Sequence, residues 1–306
     1  MSKHTPNSAN SGTEQNRAKY RGAKATLRRL RYELWKSKAR IPMVWFQHRN
    51  FRPTDVFFGS YPRSGSTWSR FVLYEILTGQ ESSFEAVNAT FCGMAGYQSA
   101  PPVLPGNGRF IQTHELYRKE YKRAVYLVRD GRDVLLSEYA FVTALGRFHG
   151  TLEEFTVAFL KGKVNGYGAW HNHARSWLHS PIAGSSDLLV VRFEDLRSNP
   201  EQWFKHMAEF LGFDAQIGVI RQAIANNSLD KMRAKEMRSP QKASVNGRFV
   251  RNGAVQGWRN RLMTAQLVMI DEKAADVLIR LKYPVCAQVS QDGPVLSTLH
   301  SQANAS

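Results

Sequence analysis

The chain has 306 residues, with 42 Lys and Arg against 25 Asp and Glu, for a formal charge of +17. That balance favours polyanionic partners and leaves nucleic acid, anionic lipid and phosphate-rich nucleotides all open, while the length suits one large α/β domain with a full-sized core. Its two cysteines, Cys92 and Cys286, lie far apart and lack ligand spacing, which argues against a disulfide framework or a zinc site and for a reducing compartment. The N-terminus has no apolar signal core, and no stretch reaches about 18 uninterrupted apolar residues. A soluble, cytoplasmic protein is expected.

In chain order, residues 1–45 read as a basic arm. Positions 1–16 are polar, and from 17 to 40 Leu27, Leu30, Leu34 and Trp35 recur at near-helical spacing among Arg and Lys. A basic amphipathic helix of this kind can touch anionic surfaces, or it can simply pack its Leu and Trp face on the domain. Residues 46–288 form the expected domain, and 289–306, without apolar periodicity, the tail.

Within the domain, apolar runs at Val56 to Phe58, Phe110 to Gln112, Ala124 to Val128 and Leu188 to Phe193 each precede small or polar residues and then a helical pattern. Strands separated by helices predict an α/β fold with a central, mostly parallel sheet covered by helices in three layers, P-loop-like in outline. Ligands of such sheets bind at the carboxyl ends of the strands. The residues just after each run are therefore the candidates.

The first run ends in SYPRSGSTW, with Gly65, two hydroxyls and Arg63 ahead of a helix expected to start near Trp68. Amides at a helix N-terminus carry partial positive charge, and a glycine lets the loop close around an oxyanion. A nucleoside-triphosphate loop would read GxxxxGK[ST]. Here Ser66 and Thr67 follow Gly65 and the cation precedes it, so that spacing fails; the plain alternative is a capped strand-to-helix turn.

YPRSGSTW resembles the 5′-phosphosulfate loop YPKSGTTW of the cytosolic sulfotransferase family, whose donor is 3′-phosphoadenosine 5′-phosphosulfate (PAPS). The resemblance implies Arg63 at the bridging oxygen, the amides of Ser64, Gly65, Ser66 and Thr67 with two hydroxyls on the 5′-phosphate, and Trp68 on adenine. Arg63 stands where the family has Lys, a planar fork in place of a point charge.

Three further stretches fit the same family. In RAVYLVRDGRDVLLSEYAF, Arg129 ends a strand and Ser137 follows eight positions later; the two can converge on one phosphate, and the spacing resembles the family's 3′-phosphate signature. Taken alone, RDGRD also reads as a surface turn with solvated salt bridges. FVRNGAVQGWRNRL is similar to the family's RKGxxGDW segment, which places Arg251, Asn252 and Gly253 on the donor. FIQTHELY ends a strand at His114, an imidazole suited by its titration range to act as general base. That context resembles the family's KTH, with Gln112 where the Lys would be.

Weaker likenesses set Phe193 in a YEDxxxNP-like stretch, and Asn227 and Leu229 in a TSFxxM-like stretch, both at the adenine. GYGAWHNHARSWL, residues 166–178, is similar to the segment before the acceptor-side helix, although its aromatics read most simply as core. The family's dimer motif is not kept: Met263, Thr264 and Val268 occupy its positions.

The resulting expectation is a PAPS-dependent sulfotransferase without a metal, using His114, Arg63 and Ser137 on a small-molecule hydroxyl or amine. A P-loop kinase should carry a Lys after Gly65 and a magnesium-binding acid. A basic nucleic-acid binder would explain the charge but not the Arg129–Ser137 spacing. Loops such as Ala89 to Pro105 and Ala144 to Asn165 are expected to shape the acceptor pocket.

Overall fold

The computed structural model describes residues 48–93, 97–239, 250 and 253–286, together with positions 42 and 46. Apart from position 42, the basic arm lies outside the described residues, as do the tail and Arg251 and Asn252.

In chain order the elements are β1 (Val56–Ser60), α1 (Ser66–Thr78), α2 (Phe84–Thr90), β2 (Phe110–Thr113), β3 (Ala124–Val128), α3 (Gly131–Ala144), α4 (Leu152–Leu160), α5 (Trp170–Leu178) and β4 (Leu188–Arg192). They continue with α6 (Phe193–Ser198), α7 (Pro200–Phe210), α8 (Ile217–Asn226), α9 (Leu229–Arg238) and α10 (Thr264–Arg280). The four strands are all parallel, in the order β2-β1-β3-β4. Register is set by Val56 opposite Phe110, Phe57 opposite Ala124, and Ala124 opposite Leu188.

Strand alternation divides the core between the two faces of the sheet. Phe57, Ile111, Tyr126 and Val128 point to one side and pack with α3, α4, α5 and α10. Val56, Phe58, Phe110, Val125, Leu127 and Val191 point to the other and pack with α1, α2 and α6–α9. The helix after β1 and the helix after β3 thus leave on opposite faces. They open a crevice above the carboxyl ends of the two central strands, where such sheets bind ligands.

Three boundaries differ from the sequence reading. β1 runs on to Ser60, which pairs with Leu127 of β3, and Gly59 lies against Trp177, where an added Cβ would be 2.4 Å from the ring. The helix after it begins at Ser66, two residues before Trp68, since Gly65 already supplies the left-handed turn. β4 ends at Arg192, and Phe193 opens α6 with its ring turned in under the first loop. The span 144–165, expected as loop, contains α4, closed at its start by a Thr151–Glu154 capping box. Among the described residues no helix is long and apolar enough to cross a membrane.

Candidate active site

Each strand delivers one group to the crevice: the loop Tyr61–Gly65 from β1, His114 from β2, Arg129 from β3 and Phe193 from β4. They meet around a cavity of about 890 Å³. Its wall includes Arg63, Gly65, Ser66, Thr67, Trp68, His114, Arg129, Ser137, Phe193, Asn227, Leu229 and Gly253.

The loop after β1 is shaped for an anion. Gly65 caps α1 at φ 96°, and no side chain bonds the first-turn amides, so these N–H groups and the helix dipole face the cavity uncommitted. An added Cβ at Gly65 would lie 2.4 Å from the Phe193 ring. Arg63 also sits in the left-handed region, at φ 69°, unusual for a residue with a side chain and a sign of a constrained turn. Its guanidinium lies 4.4 Å from the Phe141 ring centre, and its Nε donates to Ser137 Oγ at 3.4 Å.

Arg129 ties this loop to the end of the chain. It donates to the carbonyl of Arg63 at 3.0 Å and to that of Ala254 at 2.7 Å, and its guanidinium lies over Phe193 at 4.8 Å. Burial pulls its pKa down, while Asp133, Glu194 and Asp130 oppose that pull. One helical turn before Ser137, Asp133 accepts from the backbone of Gln256 at 2.8 Å and of Trp258 at 3.0 Å, pinning the 253–258 segment across the cavity. The RDGRD turn is not a solvated surface feature. Its Asp130–Arg132 pair, at 2.7 Å, is almost fully buried, with Arg132 against the Trp258 ring.

His114 is held in one tautomer. Nδ1 donates to the carbonyl of Ser60 at 2.6 Å, which leaves the lone pair on Nε2, where the Gln112 amide donates at 2.9 Å. Burial lowers the imidazole to about 4; the Ser60 bond raises it, and the Arg70 and Arg63 charges lower it further. The ring is therefore neutral at physiological pH. Behind it, α5 fixes the backbone through His173 Nε2 on the His114 carbonyl at 3.1 Å and Trp177 Nε1 on that of Glu115 at 3.1 Å. Tyr167 meets the ring edge-on at 5.4 Å.

The remaining site residues divide by environment. Trp68 lies between Phe204 and Arg197 and donates to the Asn227 carbonyl at 3.0 Å. Asn227 is fully buried, and both ends of its amide are occupied, by Glu75, Ala223, Ser82 and Lys235; what it supplies locally is the seat for Trp68. Ser64 is buried behind the loop rather than on the cavity wall, and its amide donates to Tyr61 at 3.3 Å. Arg251 and Asn252 lie outside the described residues.

Several wall residues were not singled out from sequence. Glu138 is buried, and burial raises its carboxyl against the pull of Arg63; Asn165 donates to it at 3.3 Å. Arg70 lies four positions after Ser66 and Asp133 four before Ser137, so helical phase alone puts them on the faces already in use. Trp170 and Trp177 are core, as their spacing suggested, but Tyr167 from the same stretch lines the cavity.

The site thus gathers cations, open helix-end amides and a neutral imidazole around one cavity. The family model described as the sulfotransferase domain matches residues 53–281, and the chain belongs to the sulfotransferase family. Mouse sulfotransferase 1A1 is 25% identical over 282 residues, covering 81% of this chain and 96% of the mouse protein. Rat sulfotransferase 2B1 is 26% identical over 243 residues, covering 73% and 70%. Among solved structures, mouse sulfotransferase SULT7A1 complexed with PAP matches at TM-score 0.59 and 21% identity, over 77% of this chain and 90% of that one. Retinol dehydratase in complex with retinol and PAP matches at TM-score 0.61 and 19% identity, over 75% and 82%. The likeness to both structures is one of fold.

Proposed function

We propose that the chain transfers a sulfuryl group from PAPS to a hydroxyl or amine of a small-molecule acceptor, with His114 as general base. One observation carries the reading: Arg63, Arg129, Ser137, the open N-terminus of α1 and His114 all line a single cavity. The PAP complexes of SULT7A1 and retinol dehydratase support the choice of nucleotide, and the retinol of the latter supports a small-molecule acceptor.

The arginines in the cavity wall supply the positive charge that such a donor calls for. In this assignment the amides and hydroxyls of Ser66 and Thr67 hold the 5′-phosphate, and Arg63 serves the bridging oxygen. Arg129 and Ser137 hold the 3′-phosphate; Trp68, Phe193 and Leu229 flank adenine. Gly253 lines the wall with them, and Arg251 and Asn252 are assigned to the donor alongside it. When bound, the donor supplies a sulfuryl group on a phosphate leaving group.

The chain's own residues do the rest. Because Nδ1 is committed to Ser60, the Nε2 lone pair of His114 is the one available to take the acceptor's proton as its oxygen attacks sulfur. The acceptor hydroxyl then replaces the Gln112 amide as the group bonded to Nε2. Arg63 and the α1 amides stabilise charge gathering on the departing phosphate, a preorganised electrostatic contribution. A cytoplasmic setting remains part of the reading, resting on the likeness to the sulfotransferase relatives.

The test is calorimetric titration with PAP followed by a labelled-sulfate screen of hydroxylated and amino acceptors. Micromolar PAP binding without magnesium and label transfer to at least one acceptor support the proposal. Failure to bind PAP, or magnesium-dependent phosphoryl transfer instead, overturns it.

A further inference from the structure

A buried cation in the wall, Arg70, is given no counter-charge by these assignments. Arg70 is 7% exposed, yet among the described residues its bonds run only to the Phe91 carbonyl at 2.9 Å and Asn88 Oδ1 at 3.2 Å. Its Nε is buried with no partner. Of the five N–H donors of a guanidinium, two are used. No carboxylate reaches Arg70 among the described residues, and burial lowers its pKa to about 10. Taking a cation out of water is unfavourable unless an anion or a full set of hydrogen bonds replaces the lost hydration. Neither is supplied by the described residues.

The position of Arg70 indicates which ligand would supply it. Along α1 it lies one turn beyond the phosphate loop, toward the edge strand β2. The Phe91 carbonyl that anchors it is followed by Cys92, whose carbonyl accepts from the Gln112 amide at 3.0 Å. Gln112 in turn touches His114. Through these contacts Arg70 lies on the His114 side of the cavity. Overall the cavity wall carries Arg63, Arg70, Arg129, Arg147, Arg197 and Arg261 against Asp133 and Glu138, an excess that repels cationic acceptors and favours anionic ones.

We propose that Arg70 is an anion seat for the acceptor, and that the acceptor is a hydroxy compound bearing an oxyanion, a carboxylate or a phosphate ester. This rests on the sulfotransferase reading and narrows its substrate class. A planar guanidinium with adjacent free N–H groups suits the two oxygens of such a group.

The experiment compares 4-hydroxybenzoate, its neutral methyl ester and 4-hydroxyphenyl phosphate, as ligands of the PAP complex by calorimetry and as acceptors in label transfer. The expected result is a preference of about tenfold or more for one anion over the ester, and the favoured anion tells carboxylate from phosphate. Arg70→Gln should abolish that preference and Arg70→Lys should keep part of it, with PAP affinity unchanged in both. No preference in the parent protein overturns the proposal whatever the variants do, including a variant that fails to fold. So does a preference that survives Arg70→Gln, or an equal loss of turnover with ester and anion, which would put the Arg70 charge on the group being transferred. Should PAP itself not bind, the donor reading fails, and the same anion-versus-ester titration on the unliganded protein still decides the Arg70 seat.

Discussion

Arg129 donates to the backbone carbonyl of Arg63 at 3.0 Å, so the cation after β3 holds the loop after β1 in place. It also holds Ala254 at 2.7 Å. The residue assigned to the 3′-phosphate is thus a fastener between three segments of the site.

Arg129→Ala should therefore weaken PAP binding by about 10- to 100-fold, the loss expected for a charge-assisted hydrogen bond of about 1.5–3 kcal/mol. The parent should prefer PAP to adenosine 5′-phosphate, which lacks the 3′ group, and the variant should not. Calorimetry with the two nucleotides checks this; a variant that retains the preference would move the 3′-phosphate away from Arg129.

Replacing the base or the loop cation should strike the chemical step. His114→Ala and Arg63→Ala are each expected to lower turnover by about a hundredfold or more, the range for a general base or one charge-stabilising donor. Single-turnover label transfer at saturating donor measures it, and rates within twofold of the parent would remove these two residues from the mechanism.

The pH dependence follows from the imidazole. His114 works as a base only when neutral, and its pKa lies at about 4, below the ordinary 6.5. For an acceptor alcohol that does not titrate, kcat/KM should stay flat from about pH 8 to about pH 5 and fall only below that. Negative charge from a bound donor favours the imidazolium, so the acid limb of kcat should lie at higher pH than that of kcat/KM. A kcat/KM limb at the ordinary histidine value would contradict the buried, neutral ring.

Gly65 is the most constrained backbone position of the loop. At φ 96° an added Cβ would lie 2.4 Å from the Phe193 ring, so Gly65→Ala should lower stability by about 1–3 kcal/mol and reduce PAP affinity. Adding Phe193→Ala makes room for the methyl group but leaves the left-handed strain, so the double variant should recover only part of the affinity. Chemical denaturation and calorimetry on the single and double variants test this, and complete recovery would mean the steric contact is all that matters.

Much of the site could be read along the chain because each part of it is local. Three apolar runs end just before Pro62, His114 and Arg129, and a parallel sheet brings strand ends to one edge whatever the details of packing. Phe193 was placed at the end of a strand, because a buried aromatic continues an apolar run equally well whether it closes β4 or opens α6. Only the fold, which turns the ring in against Gly65, separates those two cases. Ser64 looks like its neighbours in SGST, and only the turn that buries it behind the loop sets it apart.

Arg70 and Glu138 show where local reading stops. Each lies beside or one helical turn from a residue already chosen, yet nothing in the composition around it tells a solvated charge from a buried one. The amino-acid order alone determined the strand–loop–helix units, the anion-binding character of the loop and the place of a histidine at the end of β2, since these depend on residues within a few positions of one another. Which charges end up without water or a counter-ion and which imidazole nitrogen keeps its lone pair were decided by the tertiary structure. Burial and electrostatic pairing are sums over segments far apart in the chain, and they take a value only once those segments have packed.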